Sequence, residues 1–190
     1  MTLFEYLAIA FSLVFSFSAT RLLGGLPHVV ATGRRYGPHL VFVTATLLVT
    51  AVGFWNLWNF REAAWTLPRF LLVLTIPGAI HYCACVLVPQ QAEMVASWEA
   101  YYYDVRPRYF AGLVVVGVVI SVNLYTMLGV PILDPIRLPQ ASVICVGAVG
   151  LLSDDRRVHA ALALVQLVGL VLAMLALFIQ PDFLLQRAAG

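Results

Sequence analysis

Six apolar runs, at 3–23, 39–60, 70–88, 109–129, 139–152 and 158–180, alternate with short intervals that carry most of the charge. Crossing hydrocarbon takes about 20 residues of helix, and five of the runs have roughly that length. The intervals hold turn chemistry: Pro27 and Gly37-Pro38 before the second run, Pro68 and Pro89 around the third, and Pro131, Asp134, Pro135 and Pro139 between the fourth and fifth. The pattern predicts an all-α fold, a polytopic transmembrane helical bundle of six helices forming one domain over 1–190. The fifth run, at about 14 residues, would cover only about 21 Å as a helix. It is therefore tilted at the bundle edge, extended through 132–138, or re-entrant.

Between the third and fourth runs, Met94, Trp98, Tyr101, Tyr102 and Val105 share one helical face, and Glu93, Ser97, Ala100 and Asp104 another. This predicts a separate amphipathic helix over 90–105 lying in the headgroup plane. The first run opens Thr2-Leu3-Phe4-Glu5, with an acid where the basic region of a signal peptide belongs, so it is expected to stay as a helix.

Composition sharpens this picture. Of 190 residues 62% are hydrophobic and 11% charged, against roughly 45–50% and 25% in soluble domains. The lipid bilayer must take up the surplus apolar surface. All eleven basic residues are arginine, which excludes lysine Schiff bases and lysine nucleophiles. A net charge of +2, with only Arg34-Arg35 and Arg156-Arg157 as basic doublets, leaves no nucleic-acid surface. Cys83, Cys85 and Cys145 lie in apolar runs without ligand spacing and read as small core residues; no metal or cofactor is expected. The arginines fall seven (Arg21, Arg34, Arg35, Arg106, Arg108, Arg156, Arg157) against four (Arg61, Arg69, Arg137, Arg187) if all six runs cross. The positive-inside rule then places both termini outside the cytoplasm of a multi-pass cell-membrane protein. An all-arginine basic set points to a GC-rich bacterial coding sequence and hence to a bacterial inner membrane.

Polar groups in hydrocarbon cost a few kcal/mol, about enough to make them the first candidates for function. Glu5, Asn56, Asn59 and Asn123 fall near one level, toward the non-cytoplasmic side; Ser12, His81 and Gln166 fall near the middle. On the first helix Glu5, Ser12, Ser16 and Thr20 form a polar stripe expected to face the bundle, and Phe4, Phe11 and Phe15 form another stripe. Hydroxyls bonding back to their own helix would explain that stripe equally, and Glu5 reads as either an interfacial anchor or a binding group. His81 follows Pro77 by one turn, with Cys85 one turn further on the same face. It is either a gate or proton relay, or a neutral ring bonded across the bundle to Gln166 or a threonine. Ser153-Asp154-Asp155 reads as a helix cap, and Trp55, Trp58 and Trp65, with Tyr101 to Tyr103 and Tyr109 opposite, as two aromatic belts. A short echo, Thr20 to Pro27 against Thr126 to Pro131, is better explained by recurrent helix-end residues than by an inverted repeat.

Four short motifs, Glu5-Tyr6-Leu7, Leu22-Leu23-Gly24, the tryptophans Trp55, Trp58 and Trp65, and Arg156-Arg157-Val158-His159, resemble those of a group of small, functionally uncharacterised bacterial multi-helix integral membrane proteins. The resemblance implies architecture alone, and no site residue follows from it. Three functions remain. The first is a small-solute or proton/ion transporter or channel-like protein with a polar intramembrane site at Glu5, Ser12, Asn56, Asn59, His81, Asn123 and Gln166. The second is an accessory or scaffold subunit that binds another membrane protein, a second copy or lipid. The third is a membrane enzyme or a haem- or quinone-binding protein, ranked last because no nucleophile–base pair, metal motif or phosphate loop is visible and no catalytic residue can be named.

Overall fold

The structure, a computed structural model, describes residues 2–31 and 33–177. The expected end of the sixth run at Gln180, and Arg187 of the orientation count, lie outside the described residues. Six α-helices follow in chain order: α1 (Leu3–Val29), α2 (Gly37–Asn56), α3 (Leu67–Leu87), α4 (Trp98–Leu128), α5 (Leu138–Leu152) and α6 (Arg156–Leu177), with no strand among the described residues. Six helical segments are long and apolar enough to cross a membrane.

Local chemistry sets the ends. Thr2 and Glu5 form a reciprocal capping box at the start of α1. Pro38 and Pro68 occupy first-turn positions of α2 and α3, where a missing N–H costs nothing. Gly129 closes α4 in the left-handed region at φ 66°. Asp155 accepts the Arg157 N–H at 2.8 Å, so the acidic run before α6 is a cap, as its sequence reads.

Helices α2, α3, α4, α5 and α6 pack each on the next, and α6 returns to α2; α1 lies outside this ring against α2 and α3. Glycines bring α5 against α4. A Cβ on Gly147 would meet the Val114 side chain at 2.6 Å and the Phe110 carbonyl at 3.1 Å, and one on Gly117 would meet Ile144 at 2.5 Å. Thus α5 runs alongside α4 from the level of Gly117 to that of Phe110. It is lengthened at its start by the 3-10 turn Pro135–Arg137, giving 18 helical residues, about 27 Å of rise.

Three expectations change. No separate helix occupies 90–105: a 3-10 turn at Ala92–Met94 precedes α4, which begins at Trp98 and continues unbroken through Pro107 to Leu128. Trp98, Tyr102 and Val105, expected at the headgroups, are buried against protein instead, because the ends of α2 and α6 offer aromatic partners there. On α1 the expected inward face is reversed: Phe11 and Phe15 are buried, whereas Glu5, Ser16 and Thr20 are exposed and Ser12 is half-buried. The Ser12 hydroxyl donates to the Ala8 carbonyl at 2.6 Å, so it is satisfied within its own helix, while Phe11 packs on Trp65 and Phe70. The cysteines also part company: Cys83 is buried, Cys85 half-buried and Cys145 exposed. The echoed segments differ in conformation, Gly24 to Pro27 being helical and Gly129 a cap.

Candidate functional site

The five-helix ring surrounds a partly open chamber of about 130 Å³. Each ring helix contributes a polar group to its wall: Thr46 and Asn56 from α2, Cys83 from α3, Tyr109 from α4, Gln140 and Ser142 from α5, and Gln166 from α6. The remaining wall is aliphatic. A second compartment of about 80 Å³ adjoins it, shares Gly53, Asn56, Ile76, Ile120 and Gln140, and reaches Asn123 under Phe60 and Ile136. Phe11 and Phe15 of α1 close its side.

The amides are held in distinct ways. Asn123 donates to the Val119 carbonyl at 2.9 Å and to the Leu72 carbonyl of α3 at 3.3 Å, while its Oδ1 has no hydrogen-bond partner. Gln166 is 6% exposed and its Oε1 is likewise without a partner. One side of the Gln140 amide faces the Ile136 and Arg137 carbonyls at 3.2 and 3.1 Å, and since a carbonyl only accepts, that side is assigned as the nitrogen. Gln166 and Asn123 thus line the cavities while each keeps a buried amide oxygen without a hydrogen-bond partner, a costly arrangement.

At the end bearing the α2, α4 and α6 N-termini, the Tyr109 hydroxyl lies 3.4 Å from Thr46, and beyond it Phe42, Tyr102, Tyr109, Phe110 and His159 form a packed aromatic layer. In that layer the Tyr102 hydroxyl lies 2.8 Å from His159 Nδ1, and His159 Nε2 lies 2.8 Å from the Ser153 carbonyl. A carbonyl only accepts, so in the neutral ring Nε2 carries the proton and Nδ1 accepts from Tyr102. Arg106 binds both that carbonyl and the Asp154 carboxylate. Above the layer, in the α1–α2 connection, burial first and then the hydrogen bond to Tyr103 at 3.1 Å push the Tyr36 hydroxyl above the usual phenol range. At the opposite end the buried Arg137 donates to the carbonyls of Pro131 (2.7 Å), Ser121 (2.9 Å) and Val130 (2.5 Å), which pins the α4–α5 connection onto the end of α4.

Of the residues expected from the sequence, Asn56, Gln166 and Asn123 line the two compartments. Asn59 is buried beside them, with Nδ2 donating to the Asn56 carbonyl at 3.2 Å. Glu5 lies exposed at the tip of α1, and neither Ser12 nor His81 lines either compartment. The His81 ring faces Ser18 and Cys85 rather than Gln166 or a threonine. Reasoning from sequence missed Gln140, Ser142 and Tyr109. Gln140 and Ser142 sit in the weakest run, and Tyr109 looked like a headgroup anchor; only closure of the ring turns them inward. Among the described residues no three His, Cys, Asp or Glu side chains gather as a metal site. No family model, curated protein or solved structure matches the chain.

Proposed function

We propose that this multi-pass membrane protein is a small transporter or channel-like protein whose binding chamber is the lumen of the α2–α6 ring, and that its solute is small and neutral. The observation that carries this reading is that Gln166 and Asn123, each with a buried amide oxygen lacking a partner, are among the residues lining adjoining cavities; a side-chain turn would present those oxygens to a guest. Among the described residues neither cavity is lined by Asp, Glu, Arg or His, which favours a neutral hydrogen-bond donor over an ion. A volume of about 130 Å³ suits a molecule of roughly the size of benzene, since cavities near 150 Å³ take up that ring.

The test is stopped-flow light scattering of proteoliposomes under gradients of water, urea and glycerol. At least one of these should permeate faster than through empty vesicles. Gln166→Leu should then lower that rate about tenfold, the worth of one lost hydrogen bond of about 1.4 kcal/mol. Rates equal to empty vesicles for all three would sink the reading, and stoichiometric co-purification of another membrane protein would favour an accessory subunit instead.

The orientation we propose places the arginine-rich end in the cytoplasm of a bacterial inner membrane. Seven described arginines (Arg21, Arg34, Arg35, Arg106, Arg108, Arg156, Arg157) lie toward that end and three (Arg61, Arg69, Arg137) toward the other. A fluorescent protein that matures only in the cytoplasm should stay dark when fused before Thr2; a bright fusion reverses the orientation.

A further inference from the structure

On the outer flank of the bundle, α1 and α3 border an open groove of about 530 Å³, separate from the chamber, that contains Phe17, Arg21, His81, Cys85 and Gln90. The Cys85 thiol lies 3.4 Å from His81 Nε2, and the Ser18 hydroxyl lies 3.3 Å from His81 Nδ1. Ser18 also donates its single proton to the Val14 carbonyl at 3.1 Å. Its oxygen is then free only to accept, so the neutral imidazole carries its proton on Nδ1 and aims the Nε2 lone pair at the thiol. This is the logic of an activated nucleophile: a thiol, a base within reach, and a third group that sets the tautomer of the base. Arg21, steadied by its Nε donating to the Val88 carbonyl at 2.9 Å, keeps a positive charge in the same groove.

We infer that Cys85 is a His81-activated nucleophile that accepts an acyl group from a long-chain acyl thioester. Nε2 takes the thiol proton, sulfur attacks the thioester carbonyl, and the tetrahedral adduct collapses. A new C–S bond to Cys85 forms, the bond to the donor sulfur breaks, and the imidazolium returns its proton to the leaving thiolate. Exchange of one thioester for another needs no oxidant or further reactant. The groove selects this class because it joins a cation, for an anionic carrier head, to a flank where Phe17 is 54% exposed for an alkyl tail.

The full chain in phosphatidylcholine nanodiscs is incubated with palmitoyl-coenzyme A bearing a terminal alkyne, and the label is mapped by peptide mass spectrometry. Hydroxylamine-labile label is expected on Cys85. His81→Gln should slow it about a hundredfold, the worth of a general base. Ser18→Ala should slow it less and move the rising limb of its pH profile toward acid, because the imidazolium loses an acceptor. Cys145 serves as the internal reference: it is exposed on α5, a helix without histidine. Equal labelling of Cys85 and Cys145, no label on Cys85, or an unchanged rate in His81→Gln each overturns the proposal. Wild-type alkylation by N-ethylmaleimide covers the case in which the His81 variant does not fold. Cys85 should react about tenfold faster than Cys145 near pH 7; equal rates overturn the assignment.

Discussion

Gly147→Ala is expected to destabilise the protein by about 3 kcal/mol or more, the upper range for overpacking a close-packed interior. Most glycine-to-alanine changes within helices stabilise by up to about 1 kcal/mol, so the sign is what tests the packing. At position 147 the new methyl would lie 3.1 Å from two backbone atoms of α4, the Phe110 carbonyl oxygen and the Val114 nitrogen. A flexible side chain can turn aside, but backbone yields only if the helices separate. Separation of α4 from α5 opens the ring and with it the chamber. Gly169→Ala is the matched control, because a Cβ there meets only the Ser142 hydroxyl at 3.9 Å. Thermal unfolding in detergent, followed by circular dichroism, should rank Gly169→Ala at or above the wild type and Gly147→Ala well below it. Equal midpoints for the two variants would mean that α4 and α5 do not meet as described.

His159→Leu should cost about 3–5 kcal/mol, from an orphaned buried hydroxyl together with lost aromatic packing. His159 and Tyr102 are both fully buried. The substitution removes the acceptor of the Tyr102 hydroxyl, while the Ser153 carbonyl keeps its contact with Arg106. Adding Tyr102→Phe to His159→Leu should recover about 1–2 kcal/mol, since removing both partners of a buried hydrogen bond is far less costly than removing one. If the double variant is as unstable as the sum of the two single ones, the Tyr102–His159 hydrogen bond contributes nothing to the packed layer.

The run pattern was enough to place six helices, because a run of about 20 apolar residues has no stable alternative to a helix in lipid. It also located the cap at Asp155, which depends on residues within one turn of each other. Burial along a lipid-facing helix is harder to read, since leucine suits both lipid and core and the usual contrast between apolar and polar faces disappears. That is why the polar stripe of α1 pointed the wrong way: Ser12 satisfies itself on Ala8 and needs no inward partner. Trp98 and Tyr102 misled for a related reason, as the amphipathic rings that suit a headgroup belt also suit a buried layer with hydrogen-bond partners.

The candidate site divides along the same line. Asn56, Asn123 and Gln166 were legible because an amide inside an apolar run is conspicuous whatever surrounds it. Their union into two adjoining compartments depended on α5 closing the ring through Gly117 and Gly147, a long-range contact with no local signature. His81 and Cys85 were legible as a pair at one-turn spacing, but the ring orientation required Ser18 from another helix. By itself, then, the sequence determined that the chain forms six apolar helices long enough to cross a membrane, and which few polar groups lie within them. Tertiary structure decided which of those groups meet, because facing across a bundle is set by small residues and side-chain fit among distant segments rather than by hydrophobic period.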